Sequence, residues 1–483
     1  MQKDSLMHDA IIIGSGPNGL AAAIRLAQEG LSVKIFEAAD TVGGGTRTKE
    51  LTLPGFHHDI CSAIHPMAVG SPFFKTLPLK QYGLEWIHPK FPLAHPLDDR
   101  PAVILHKSLD DTAAELNDDG DAYRNLFSSL VERWDDLAPE LLSPLNSFPS
   151  HPLLLSKFGL KALQSAKRLA SSRFEDEPAK ALFAGLAAHS ILPLNQISTA
   201  AIGLVLGTIG HKIGWPLPKG GSHNITKALS EYFISIGGKI ETGAAVKTLR
   251  ELPQSKLILF GNTPKQILTI AGDQLPDSYA KKLRSFKYGA GVFKVDIALN
   301  SPIPWTDKRC GEAGTVHLGG TLQEIARSEK QIANGHHPGK PYVLLTQQSM
   351  FDDSRAPAGK HTVWAYCHVP NGSTEDMTEP VLRQIERFAP GFRDLMLDYH
   401  TMNTRAMENY NANYVGGDIN GGSQDISQLF TRPAGLLDPY HIPGTSLFIC
   451  SSSTPPGGGV HGMCGYHAAN SALKYLSSSD IWV

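Results

Sequence analysis

The 483-residue sequence predicts an α/β architecture in which separated stretches of chain build one parallel sheet, with an α+β region and a helical cap between them. Three observations carry this expectation. An apolar strand runs straight into a glycine-rich turn and helix near the start, a second strand, turn and helix recur near the end, and alternating or uncharged stretches lie between. At roughly 100–200 residues per domain, the length implies two or three domains with ample core.

Composition removes several function classes. The 44 Lys and Arg nearly balance 46 Asp and Glu, giving a net charge of −2 with no block of like charge. Nucleic-acid backbone binding needs clustered cations, so no nucleic-acid partner is expected. The five cysteines (Cys61, Cys310, Cys367, Cys450, Cys464) are odd in number and contain no C-x-x-C pair. That argues against a disulfide scaffold, a zinc finger and a redox dithiol, and suits a reducing compartment. Met1–Met7 is short and polar, and the apolar run Ala10–Ile13 ends at Gly14, too short for a signal peptide. A cytoplasmic protein is expected. Leu182–Gly210 lacks Asp, Glu, Lys and Arg, yet Pro193, Asn195, Gln196, Ser198 and Thr199 interrupt it, so it reads as a buried helix pair rather than a membrane span.

The first motif is His8-Asp-Ala-Ile-Ile-Ile followed by Gly14-Ser15-Gly16-Pro17-Asn18-Gly19. Helical spacing follows through Leu20, Ala23, Ile24 and Ala27, and a second strand, Ser32–Phe36, delivers Glu37. This is a complete βαβ unit with the dinucleotide fingerprint of a Rossmann-like domain. Gly14 permits the tight turn, Gly16 lets backbone approach a pyrophosphate, and Gly19 lets the helix pack closely; the helix dipole then faces the anion. Glu37 suits a ribose diol. Ala38 and a second glycine cluster, Gly43-Gly44-Gly45-Thr46-Arg47, follow at once. Glycines and an arginine there favour FAD over a nicotinamide nucleotide.

Further elements repeat the logic. Pro216–Gly221 opens a helix through Ile225, Leu229 and Phe233, Gly237-Gly238 ends it, and Lys239–Val246 reads as a strand. Lys256–Phe260 is a short apolar run suited to a parallel strand, with Asn262, Thr263 and Pro264 at its carboxyl end. Thr445–Cys450 reads as a strand, Ser451–Gly459 as a turn and Val460–Leu476 as a helix with Ala468, Ala469, Ala472 and Leu473 inward. Phe293–Leu299 alternates strictly and Thr362–Val369 in part, as half-buried antiparallel strands do. The expected organisation is a cofactor domain from 1–75, 214–290 and 438–483, a substrate or cap region at 76–213, and a substrate domain with a mixed or antiparallel sheet at 291–437.

Beyond these elements, Gly43–Thr48, Gly55–Pro66, Arg355–Pro357, Phe388–Phe392, Gly416–Gly422 and Ser452–Gly465 resemble the FAD-dependent oxidoreductases that include phytoene desaturases, carotenoid ketolases and flavin amine oxidases. The resemblance runs nearly end to end and points to the phytoene-dehydrogenase-like branch related to pyridine nucleotide-disulfide oxidoreductase domain-containing protein 2. It implies that the backbone at Val246 holds the adenine, that Gly458, Gly459, Val460 and His461 lie against the flavin ring, and that His65 is near it. The "disulfide" part of the family label has no counterpart here, since no dithiol is present.

Hydride transfer to flavin is cofactor chemistry, so no obligatory nucleophile is required. No G-x-S-x-G elbow around Ser222 or Ser453 and no H-E-x-x-H site occurs. His57, His58, Asp59, Cys61 and His65 are dense, but His57 and His58 point to opposite faces of a strand, so no metal is expected. His65 and His461 are the candidate catalytic groups, each equally readable as a core histidine. His467 packs on the last helix in the plain reading, and Cys464 reads as a small buried hydrophobe. Pro152–Arg168 places Leu153, Leu160 and Leu163 near one face and Lys157, Lys161, Lys167 and Arg168 outward. A cap helix over the core is the favoured reading, with peripheral membrane contact through 152–168 the alternative. The leading function is oxidation or desaturation of an apolar, isoprenoid- or carotenoid-like substrate by hydride transfer to flavin N5. Flavin amine oxidation, with Tyr440 and Tyr466 as aromatic-cage candidates, is the second reading. A third, of another class, is a flavoprotein that acts mainly by binding a partner at a respiratory membrane.

Overall fold

The computed structural model describes residues 7–144 and 148–479. Two large sheets contain β1 (His8–Ile13), β2 (Val33–Phe36), β3 (Phe91–Leu97), β4 (Arg100–Leu105), β5 (Lys239–Glu241), β6 (Ser255–Phe260), β7 (Gly291–Leu299), β8 (Ala313–Leu318), β9 (Val343–Thr346), β10 (His361–Val369), β11 (Met396–Met402) and β12 (Leu447–Ile449). The first is parallel throughout, in the order β12-β6-β1-β2-β5. The second runs β11-β7-β10-β9-β8-β3-β4 and is antiparallel except where β8 meets β3.

The helices that position the site are α1 (Pro17–Gln28), α2 (Pro152–Ala162), α3 (Glu177–Ala188), α4 (Thr199–Lys212), α5 (His223–Ser235) and α6 (Met463–Ser479). In the parallel sheet the central strands are apolar on both faces because both faces are covered. Ile12, Ile35 and Leu259 join Leu20 and Ile24 of α1, Leu229 and Phe233 of α5 and Ala468 and Ala472 of α6 in one core. Ile11, Ile13 and Phe260 face the opposite way, toward Ile267 and Tyr279. Small residues set the spacing: a Cβ on Gly465 would overlap the Asn18 carbonyl oxygen, so α6 lies on α1 at the closest possible approach.

Several boundaries differ from the expected ones. The strand expected over Lys239–Val246 ends at Glu241, because Gly243 at φ +66 turns the chain toward the backbone of Glu37 and Ala39. The last helix starts at Met463 rather than Val460, after Gly462 adopts φ +69. β7 is buried along its whole length, not on one face: its polar positions Lys294 and Asp296 pair with each other in the interior, and His58 Nδ1 lies 3.6 Å from Asp296 Oδ1. An alternating pattern marks half-burial only where its polar residues lack partners.

The uncharged stretch forms the buried pair α3 and α4. Leu182, Phe183 and Leu186 join Leu204 in a second core, and a Cβ on Gly203 would lie 3.0 Å from the Phe183 ring. On α2 the expected inward face is reversed. Phe158 and Ala162 are buried, whereas Leu153 and Leu160 are 79% and 75% exposed and Leu163 is 52% exposed. Lys161 instead runs inward and donates to the Leu126 carbonyl at 3.3 Å, its stem covering apolar surface. No helix among the described residues is long and apolar enough to cross a membrane.

Candidate active-site cavity

Connections leave β1 and β6 in opposite directions, which opens a crevice beyond their carboxyl ends, where ligands bind in sheets of this kind. Gly14 sits there at φ +101, and a Cβ on it would lie 3.8 Å from Gly261, whose N–H bonds the Ile13 carbonyl at 2.8 Å. A Cβ on Gly19 would overlap the Gly14 carbonyl oxygen. Helix α1 begins at Pro17 with no side chain capping it, so its positive end is presented by Gly16, Asn18 and Gly19 to the cavity they line.

The second glycine cluster folds against the first. A Cβ on Gly44 would lie 3.0 Å from the Gly16 Cα. Glu37 ties the two together: it accepts from the Ser15 N–H at 2.8 Å, the Ser15 hydroxyl at 2.6 Å, the Ala39 N–H at 2.9 Å and Arg47 Nη2 at 3.1 Å. Arg47 also donates to the Thr41 carbonyl at 2.7 Å, while Tyr410 donates its hydroxyl to the Gly44 carbonyl at 2.8 Å. The chain beyond β5 joins this wall through bonds from Gly243 N–H to Ala39 and from Ala244 N–H to Glu37, both 2.8 Å, which bring Val246 to the cavity.

The cavity measures about 1010 Å³, the upper end of the roughly 300–1,000 Å³ usual for small-molecule sites. Its wall contains Gly14, Gly16, Pro17, Asn18, Gly19, Glu37, Ala38, Gly44, Gly45, Arg47, His65, Val246, Thr263, Gly459 and Val460. Four other sequence candidates lie behind that wall. Ser15 braces Glu37, and Thr46 meets the Thr226 hydroxyl at 3.1 Å. A Cβ on Gly458 would lie 2.8 Å from Asn420 Oδ1. His461 is 1% exposed; its Nδ1 accepts from the Met463 N–H at 3.0 Å and its carbonyl from the Ser71 hydroxyl at 2.6 Å, so it caps α6.

Past the glycine arms the wall becomes aromatic. Trp364 and Tyr366 on β10 meet edge to face at 5.0 Å, and Trp215, Leu344, Tyr410, Tyr414 and Leu206 complete the chamber. None of these was singled out from sequence; the signal available was the placement of Trp364 and Tyr366 two apart on one face of an alternating strand. Tyr440 and Tyr466 are elsewhere. Tyr440 donates to the Pro455 carbonyl at 3.0 Å, and Tyr466 packs 4.9 Å from Phe73.

Two histidines reach the wall. His189 touches His317 through their Nε2 atoms at 3.0 Å, and burial pushes His189 down to about 3. His65 is 2% exposed, and burial pushes it down to about 4. Beneath it Asp59 pairs with Arg355, and both side chains are fully buried. Burial alone would raise the Asp59 carboxyl; the Arg355 guanidinium with bonds from Thr48 and the Ser222 N–H outweighs this and holds it below the usual value of 3.8. Asn18 and Asn262, both on the wall, each hold a buried side-chain oxygen with no partner among the described residues, as a polar ligand site requires. Glycine cradle, open helix end and orphan oxygens together fit an extended dinucleotide.

Comparison with known proteins agrees. The family profile described as an NAD(P)-binding Rossmann-like domain matches residues 12–76. The rat pyridine nucleotide-disulfide oxidoreductase domain-containing protein 2 is 24% identical over 98% of this chain and 94% of its own. A 4,4'-diapophytoene desaturase (4,4'-diapolycopene-forming) of Methylomonas is 25% identical over 75% of this chain and 74% of its own. Among solved structures, an oxidoreductase from Methanosarcina mazei superposes with TM-score 0.63 at 16% identity, covering 96% of this chain and 99% of its own. Cyclohexylamine oxidase from Brevibacterium oxydans superposes with TM-score 0.59 at 15% identity, covering 98% and 100%. The structural likenesses speak to the fold; the sequence likenesses, to pyridine nucleotide-disulfide oxidoreductase domain-containing protein 2 over nearly the whole chain and to the desaturase over three quarters of it, support an FAD-dependent oxidoreductase of the superfamily that includes the phytoene desaturases.

Proposed function

We propose that the protein binds FAD and oxidises or desaturates an apolar substrate of the isoprenoid or carotenoid kind. The observation that carries this reading is one cavity running from the glycine cradle of Gly14–Gly19 to a chamber walled by Trp364, Tyr366, Leu344 and Leu206. Within it, the α1 end receives a pyrophosphate, Glu37 a ribose diol, and the backbone at Val246 an adenine. Thr263 and the turn at Gly459 and Val460 complete the cofactor's surroundings, with Gly458 and His461 bracing that turn from behind. When bound, the flavin supplies the hydride acceptor. The chain's own part is to orient the substrate among the aromatic rings and to exclude water from the reacting atoms.

Anaerobic mixing of the holoprotein with candidate isoprenoids, read at the flavin absorbance band, tests the reading. Bleaching by an apolar polyene precursor supports it; a protein purified gently without any flavin spectrum overturns it. Amine oxidation is the second reading, favoured by the rings of Trp364, Tyr366, Tyr410 and Tyr414, which suit a cation as well as an alkene. Peroxide release with amines and none with isoprenoids selects it. A flavoprotein whose bound flavin no substrate reduces would fit a binding role at a membrane instead.

A further inference from the structure

His65 is held by a chain of bonds that fixes which of its nitrogens carries hydrogen. Its Nε2 lies 2.8 Å from the Ser222 hydroxyl oxygen. That hydroxyl has a single hydrogen, and it is donated to the Ser62 carbonyl at 2.8 Å, an atom that can only accept. Ser222 therefore accepts from His65, and Nε2 is the protonated nitrogen. Nδ1 is left as a bare lone pair, buried and with no partner among the described residues, on a residue of the cavity wall. The rest of the residue's surroundings keep the ring in place: the backbone N–H of His65 donates to the Pro216 carbonyl at 2.8 Å, and the Trp86 ring lies 6.3 Å away. Ser222 is itself anchored, its backbone N–H donating to Asp59 Oδ1 at 2.8 Å.

We propose that His65 Nδ1 is the proton acceptor of the oxidation and that Ser222 is its positioning residue, selecting the tautomer. The inference rests on the flavoprotein reading above. It further defines the substrate as one that gives up a proton with its hydride: an X–H bond beside the reacting C–H bond, where X is nitrogen, oxygen or a second carbon. The X–H bond breaks, its proton forms the Nδ1–H bond of an imidazolium, and its electron pair becomes the second bond of C=X. The C–H pair leaves as hydride to the oxidised flavin. The charges that bear on the ring are Asp59, which favours the imidazolium, and Arg355, which opposes it; burial outweighs both and keeps the resting ring neutral.

Two variants test this. H65Q keeps a side-chain donor where Nε2 stands and deletes the Nδ1 lone pair; S222A keeps the backbone bond to Asp59 and removes the acceptor. In 15N-histidine-labelled protein the resonances missing from H65Q should belong to a ring protonated at Nε2 and neutral down to about pH 5, and S222A should mix its tautomers. In anaerobic flavin reduction H65Q should slow the rate constant by roughly 10²–10⁴-fold with flavin content unchanged, and S222A by less. An Nδ1-protonated resting ring, or wild-type reduction by flavin-loaded H65Q, overturns the proposal. A wild type that binds no flavin while the tautomer result stands overturns the function instead, so the two failures are distinct.

Discussion

Asp59 and Arg355, 296 positions apart in sequence, form an ion pair with no solvent exposure on either side chain. The pair joins the short ribbon at His57–Asp59 to the loop before β10, and Asp59 also accepts from the Ser222 N–H at 2.8 Å. Removing one partner strands the other charge in the interior. R355M is expected to lose about 3–5 kcal/mol in urea unfolding. An R355M protein within about 1 kcal/mol of wild type would show that the surroundings take over the role of the guanidinium.

Acid should unfold this protein early, and histidines are the reason. Burial pushes His65, His95 and His461 down to about 4 and His189 to about 3, all from 6.5. The unfolded chain takes up these protons below pH 6.5 while the folded one does not, so stability falls as pH drops from 6.5 toward 4, by about 1.4 kcal/mol per pH unit for each such group. Asp59 works in the same direction at lower pH: its depressed carboxyl stabilises above the ordinary 3.8, and that contribution is lost as pH falls through its folded value. Unfolding midpoints across pH 4–8 measure the slope; a flat profile would mean these rings are hydrated.

Gly185 lies inside α3, where alanine would ordinarily be favoured by up to about 1 kcal/mol. Here a Cβ would sit 2.8 Å from His317 Nδ1 and 3.0 Å from His95 Nδ1, and both rings are pinned, His95 by the Gly320 carbonyl at 2.7 Å. G185A is expected to destabilise by about 1–3 kcal/mol. On α2, Gly159 has nothing among the described residues within 4 Å of its Cβ position, and G159A should stabilise. Opposite signs in the same denaturation assay are the expected result.

If Glu37 holds the ribose of FAD, E37Q keeps its shape and gives up the charge. Loss of about 1.5–3 kcal/mol of charge-assisted bonding corresponds to roughly 10–150-fold weaker flavin binding, measurable by reconstitution of apoprotein. Unchanged affinity would place the ribose elsewhere.

The Rossmann-like half of this fold was legible because its signals are local: strand, turn, α1, β2 and Glu37 fall within thirty consecutive residues, and each follows from glycine conformation or apolar spacing. The chamber was not, since Trp215, Leu344, Trp364 and Tyr410 meet only after the second sheet has formed. His65 was visible as a residue, but its tautomer depends on Ser222, 157 positions away. The buried Lys294 and Asp296 misled for a related reason: charge reads as exposure until the partner is known. The leucines of α2 misled in the other direction, because Phe158 and Ala162 took the inward stripe.

The parallel sheet closes with β12, which pairs with β6 through Leu447, Phe448 and Ile449. During synthesis the fingerprint at Gly14 leaves the ribosome more than four hundred residues before the strand that completes its own layer. Such late, distant pairing makes assembly slow and leaves apolar edges waiting. A nascent chain stopped before Leu447 should therefore be a client of chaperones, whatever the condition of its first seventy residues.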